Sequence, residues 1–292
     1  MKDILSLILD NLSALKRDGF ESLSVNDETL KKLKAAVENS KILDEPVSVP
    51  APAPKIETRS RKIETPTNDV PAAQKRVPAM KVPVLPVIKT QAEFEEVVKK
   101  DALSQKHASV GKKWLLGHGS VPAKLLICGD MPSAEDEANG RIFSDASGTM
   151  LEKIIAAMGV PADEIFYTNF FKWRTEASMF AQKPGLEEAT AAYCEPFFKA
   201  QVEFIKPQLI VAMGALPAHF FSKKYDAKMG ELRGNVFEFC GVKVLTTYHP
   251  NYLVRSGSMQ SKRALWEDML KAMEFLGVPV SEKQRNYFLP KN

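Results

Sequence analysis

Four short apolar runs constrain this chain more than any other feature: KLLIC at 124–128, EIFYTN at 164–169, QLIVAM at 208–213 and KVLTT at 243–247. Each reads as a buried strand, and stretches with three-and-four apolar spacing separate them at 147–158, 186–205, 215–223 and 261–275. A further helix is expected near 91–106. Strands alternating with helices need crossover connections, which make the strands parallel and cover both sheet faces. The expected fold class is α/β, a three-layer α/β/α sandwich with a central four-stranded parallel sheet. In such sheets ligands sit beyond the carboxyl ends of the strands. The segments there are GDMPSAEDEANGRIF, TNFFKWRT, AMGALPAH and TTYHPNYLVR, which together offer carboxylates, an Asn, aromatic rings and a His.

The sandwich is expected over residues 91–280, followed by a tail at 281–292. Ahead of it, residues 1–43 read as a helical segment: Ile4, Leu5, Ile8, Leu9, Leu12 and Leu15 share one helix face, and a second helix is expected from Asn26 to Val37. Two short helices bury little alone, so the pair either docks on the main domain or meets a protein partner. Residues 44–90 read as a disordered linker, since nine prolines and no glycine or aromatic residue lie between Asp44 and Val87.

Of the net charge of +4, residues 1–90 carry most, with 15 Lys+Arg against 12 Asp+Glu. The remainder is nearly neutral, so charge alone does not point to nucleic acid. No apolar run is long enough for a membrane span. The first segment carries Asp3 and Asp10 without a small-residue cleavage site, unlike a signal peptide. Three widely spaced cysteines argue against a disulfide framework and fit a reducing cytoplasm.

Four segments together resemble the uracil-DNA glycosylase superfamily, most closely its family-4 branch. Residues 129–148, GDMPSAEDEANGRIFSDASG, align without a gap to a first motif of the form GEAPGxxEDxxGRPFVGxAG. TNFFKWRTE at 168–176 resembles TNxVKCRPP, and CEPFFKAQVEFIKPQLIVAMG at 194–214 resembles CxPxLxxxIxxxxPxxIVxLG. RGNVFEFCGVKVLTTYHPNYLVR at 233–255 resembles the closing RGxxxxxxGxxVxxTxHPSYLLR. Coverage is nearly continuous from about 110 to 275.

The resemblance implies a monofunctional enzyme that hydrolyses the N-glycosidic bond of uracil in DNA. Breaking that bond puts positive charge on the sugar and negative charge on the leaving base, and the nucleotide must first be flipped out of the helix. Phe143 resembles the base-stacking aromatic, and Gly129 and Met131 flank the same wall. Asn169 matches the residue that reads the uracil edge; its carboxamide offers one donor group and one acceptor, complementary to O4 and N3–H. His249 matches the histidine that donates to O2 as charge develops there. Asp130, where the family usually has Glu, is the first choice for orienting water, and Asp136 is the second. Pro132 and Ser133 resemble a loop pressing on the DNA backbone. Pro250–Arg255 resembles a minor-groove wedge, with Tyr252 or Leu253 filling the vacated stack and Arg255 meeting phosphate.

The family-4 branch carries an iron-sulfur cluster on four cysteines. Here Trp173 stands at one ligand position, residues 95–104 contain no Cys, and only Cys194 remains. The expectation is therefore no cofactor and no metal. The expected partner is uracil-containing DNA, met by a monomer in the cytoplasm at the nucleoid. Two alternatives are a catalytically weak DNA-binding relative and a glycosylase for another deaminated base such as hypoxanthine.

Overall fold

The computed structural model describes residues 80–176, 178–183 and 185–289. The helical segment expected at 1–43, and the linker as far as residue 79, lie outside the described residues.

One sheet organises the described chain. Its strands are β1 (His118–Gly119), β2 (Leu125–Gly129), β3 (Ile165–Asn169), β4 (Leu209–Met213), β5 (Val236–Phe239) and β6 (Val242–Thr247), in the spatial order β1-β3-β2-β4-β6-β5. The four expected strands form the parallel centre, β3-β2-β4-β6. Two antiparallel edge strands extend it to six, which the apolar runs did not signal. β1 is only two residues long, and β5 is a half-exposed VFEF that turns back onto β6.

The helices are α1 (Gln91–Lys100), α2 (Ala102–Ser109), α3 (Ala134–Asn139), α4 (Ala146–Met158), α5 (Ser178–Gln182), α6 (Leu186–Ile205), α7 (Ala215–Ser222), α8 (Met229–Leu232), α9 (Pro250–Ser256), α10 (Met259–Phe275) and α11 (Glu282–Arg285). The helix expected over 91–106 is thus two. Asp101 breaks it with extended backbone, and its carboxylate accepts the Ser104 amide at 2.9 Å to start α2.

Side-chain alternation along the central strands divides the core into two apolar layers. Leu126, Cys128, Phe166, Ile210 and Val244 face one layer, with Phe94 of α1, Phe197 and Phe198 of α6, and Phe220 of α7. Leu125, Ile127, Ile165, Leu209, Val211 and Leu245 face the other, with Leu151 and Ile155 of α4 and Trp266 and Met269 of α10. Parallel strands buried on both faces read as continuous apolar runs, which is why these four were legible.

Core packing begins before residue 91, because Ile88 is 4% exposed in the first layer. The expected tail also packs: the Trp266 indole donates to the Gln284 carbonyl at 2.6 Å, and Gln284 Nε2 donates to the Ala157 carbonyl at 2.8 Å. Among the described residues no helix is long and apolar enough to cross a membrane.

Candidate active site

The carboxyl ends of β2, β3 and β6 meet at Gly129. Gly129 pairs with Asn169 in the parallel register of β2 and β3. A Cβ built on Gly129 would collide with Asn169 Oδ1 and would lie 2.8 Å from Phe143 Cζ and 3.4 Å from His249 Nε2. The ring, the carboxamide and the imidazole expected from sequence therefore surround one small space, which exists because residue 129 has no side chain.

Each of the three is fixed locally. Asn169 ends β3 and is 2% exposed. Its backbone is clamped: the buried Lys172 ammonium donates to the Asn169 carbonyl at 2.6 Å, to Thr168 Oγ1 at 2.8 Å and to Gln201 Oε1 at 2.5 Å. Burial pushes the Lys172 ammonium down to about 8. Those three acceptors replace the water it loses, as a buried charge requires.

Phe143 has φ +54°, in the left-handed region, which costs a non-glycine residue about 1–2 kcal/mol. Its neighbours hold it there. Asp136 Oδ1 accepts both the Ser144 amide at 2.7 Å and the Ser144 hydroxyl at 2.9 Å. Asp136 Oδ2 accepts the Ser133 amide at 3.0 Å, and Ser133 Oγ accepts the Asp136 amide at 3.0 Å, a capping box on α3. Gly148 allows the Phe143 carbonyl to press directly on α4, where a Cβ would clash. The Phe143 ring lies 5.8 Å from His249 at 21° and meets Tyr167 edge-on at 6.2 Å.

His249 caps α9. Its Nδ1 accepts the Asn251 amide at 3.2 Å, so in the neutral ring the proton resides on Nε2, the atom facing Gly129. Loss of hydration pushes the His249 imidazole down to about 4, against the pull of Asp145 and Asp136. Asp145 is itself half-buried, which opposes its charge. Hydrogen bonds from the Ser147 hydroxyl and the amides of Gly148 and Ser147, with His249 nearby, outweigh that cost and hold its carboxyl below the ordinary value.

The remaining expected residues lie around this space. Asp130 Oδ1 accepts the Leu216 amide at 3.0 Å, and its carboxyl packs over Gly214, whose φ of +107° and missing Cβ leave room for it. Met131 packs against the first core layer, and Pro132 is buried beside it. Pro250 is the first residue of α9, so the expected wedge is a helix. Leu253 is 3% exposed within the second core layer, and the flanking Val254 is 40% exposed. Tyr252 stacks on Tyr248 at 4.6 Å, and Arg255 is exposed.

Four supporting residues escaped the sequence reading: Lys172, Gln201, Arg233 and Asp268. Arg233 donates to both Asp268 oxygens at 3.1 and 2.8 Å, and Asp268 Oδ2 accepts the Thr247 hydroxyl at 2.7 Å, bracing β6 two residues before His249. Their available signal was polarity at inward-facing positions of apolar stretches, as at Gln201 in FKAQVEFI.

The fold is a three-layer sandwich that gathers one carboxamide, one ring and one neutral imidazole around a small space at its strand ends. The profile of the Uracil DNA glycosylase superfamily matches residues 116–270, and the chain belongs to that superfamily. It is 31% identical to the "Type-4 uracil-DNA glycosylase" of Thermotoga maritima over 56% of this chain and 82% of the relative. It is 28% identical to the protein of the same name from Pyrobaculum aerophilum, over 50% and 76% of the two chains, and 28% identical to that of Saccharolobus solfataricus, over 55% and 74%.

These relatives correct the expectation of a cofactor-free protein, because type-4 enzymes are the iron-sulfur branch of the superfamily. The described side chains around Cys194 do not by themselves make a cluster site. Trp173 stacks on Trp114 at 4.8 Å, Tyr193 donates to Asp101 at 2.7 Å, and burial pushes the Cys194 thiol up to about 12. Among the described residues no three His, Cys, Asp or Glu side chains form a group that could hold a metal.

Proposed function

We propose that this protein is a uracil-DNA glycosylase, a hydrolase that removes uracil from DNA as the first step of base excision repair. The observation that carries this is the convergence of Phe143, Asn169 and His249 on the space in front of Gly129, in a chain whose relatives bear that activity in their names.

A flipped uracil enters the slot with its face on Phe143, a contact worth about 1–3 kcal/mol. The Asn169 carboxamide pairs with O4 and N3–H. Cytosine presents the opposite donor and acceptor order, leaves both groups unpaired and is rejected. As the C1′–N1 bond breaks, its electron pair goes to the base, and the Nε2–H of neutral His249 donates to O2. Asp130 orients the water whose oxygen bonds to C1′ and accepts the proton that this water gives up. Asp136, with both oxygens engaged by Ser133 and Ser144, shapes the Phe143 loop. Gly129 and Met131 border the slot. Ser133 sits against the DNA backbone with the buried Pro132 supporting its loop, Tyr252 and Val254 replace the buried Leu253 at the vacated stack, and Arg255 meets phosphate. Within this function the protein acts as a monomer on the nucleoid, with residues 1–43 offered to a protein partner.

Incubation with a labelled oligonucleotide carrying one uracil, followed by alkaline cleavage of abasic sites, tests it. A cleaved product from uracil and not from cytosine is expected. Binding without product would select the catalytically weak alternative, and product from hypoxanthine alone would select the other.

A further inference from the structure

We propose that a second site, a cationic cleft beside the base slot, carries the single DNA strand that continues from the flipped uracil. This rests on the glycosylase function above. The cleft has a volume of about 520 Å³ and lies between α1, α2, the 112–118 segment and the loop ending at Ile142. Lys99, Lys112, Lys113 and Arg141 line it against a single carboxylate, Glu95. Lys112, Lys113 and Arg141 are exposed and make no ion pair among the described residues, whereas Lys99 is paired with Glu96. The nearby carboxylate, Glu137, which accepts the Lys113 backbone amide at 3.4 Å, is paired with Arg174, and Arg141 Nε donates to His118 Nε2 at 3.2 Å, so the three cations keep charge to offer phosphates, whose counterions they would displace.

The cleft is also aromatic. Trp114 and His118 line it, both half-exposed. His118 stacks on Tyr167 at 5.3 Å and 23°, and Tyr167 meets Phe143 at 6.2 Å. Rings therefore run without interruption from the cleft to the slot. Arg141 and Ile142 in the cleft wall directly precede Phe143 in sequence. Interleaved cations and ring faces are the chemistry of single-strand binding, in which bases stack and phosphates meet charge.

The test compares wild type with Lys112→Ala/Lys113→Ala and with Arg141→Ala on two substrates, a uracil trinucleotide and a uracil-centred single strand of about 20 nucleotides, longer than the roughly 4–16 that such grooves cover. Both variants are expected to bind the long strand about 5- to 10-fold more weakly, with a slope of log Kd against log salt smaller by about 0.7 per lost contact. Excision from the trinucleotide is expected to stay within about twofold of wild type. An unchanged long-strand affinity and salt slope would overturn the cleft, as would equal losses on both substrates, which would mean that the slot itself was disturbed. A wild type that excises uracil from neither substrate would instead remove the function on which the cleft depends.

Discussion

His249 Nδ1 accepts the Asn251 amide at 3.2 Å, and this one bond aims the protonated Nε2 at the space beside Gly129. His249→Ala should lower kcat/KM for uracil excision by about 100- to 1,000-fold, the usual cost of losing a donor to a developing oxyanion. Circular dichroism should change little, and stability should fall by only the roughly 0.5–2 kcal/mol of a lost helix cap. A variant that keeps wild-type rates would move the leaving-group donor elsewhere.

The same histidine makes stability depend on pH. The fold depresses its pKa from 6.5 to about 4, so in that window the unfolded chain binds the proton first. Its contribution is present above pH 6.5 and is lost as pH falls towards 4. Urea unfolding at pH 7 and again near pH 4.5 should show wild type losing about 2 kcal/mol more than His249→Gln. Equal losses would show that the ring is not shielded from water.

Gly129 is the floor of the slot. Gly129→Ala puts a methyl group against Asn169 Oδ1 and within 2.8 Å of Phe143 Cζ. Overpacking of this kind costs about 1–3 kcal/mol, and the methyl occupies the space proposed for the base. Uracil binding, read by fluorescence titration with an abasic-free substrate analogue, should vanish while the protein remains folded. Retained binding would place the base elsewhere.

Lys172 sits behind Asn169 and joins three oxygens from two elements. Lys172→Met takes the ammonium away from all three oxygens and leaves only the Thr168 hydroxyl, 3.1 Å from Gln201 Oε1 and 3.4 Å from the Asn169 carbonyl, to serve them, at about 1–3 kcal/mol for each group left unsatisfied. Tm should fall, and the preference for uracil over cytosine should narrow as the Asn169 backbone loosens. A variant that is less stable but equally selective would confine Lys172 to a packing role.

Leu253 and Val254 are neighbours with opposite surroundings, 3% and 40% exposed. Leu253→Ala should cost about 2–5 kcal/mol of stability. Val254→Ala should leave Tm within about 1 °C, because exposed substitutions stay near neutral, yet slow excision from duplex more than from single-stranded substrate. The reverse pattern would restore Leu253 as the wedge.

Much of the fold was legible because β2, β3, β4 and β6 are buried on both faces and announce themselves as unbroken apolar runs. β1 and β5 stayed hidden, since β1 is two residues long and pairs with the distant β3, and β5 is a half-exposed edge without a continuous apolar run. At the site, residue types at strand ends pointed to carboxylates, an Asn, rings and a His, and the resemblance to the uracil-DNA glycosylases singled out Phe143, Asn169 and His249. Nothing in the sequence distinguished a carboxylate engaged by Ser133 and Ser144, as in Asp136, from one lying over Gly214, as in Asp130.

The order of amino acids determined the α/β alternation and the ends of the strands at which chemistry gathers, both from local periodicity and the chemistry of single residues. It also carried the motifs whose resemblance to the uracil-DNA glycosylases implied a ring, a carboxamide and an imidazole for one pyrimidine. Tertiary structure alone decided that α9 turns Leu253 inward, that a lysine without a carboxylate stands behind Asn169, and that a backbone amide sets the tautomer of His249. Each of these depends on which groups meet across the fold and on how much water remains between them, and neither is written in any one stretch of chain.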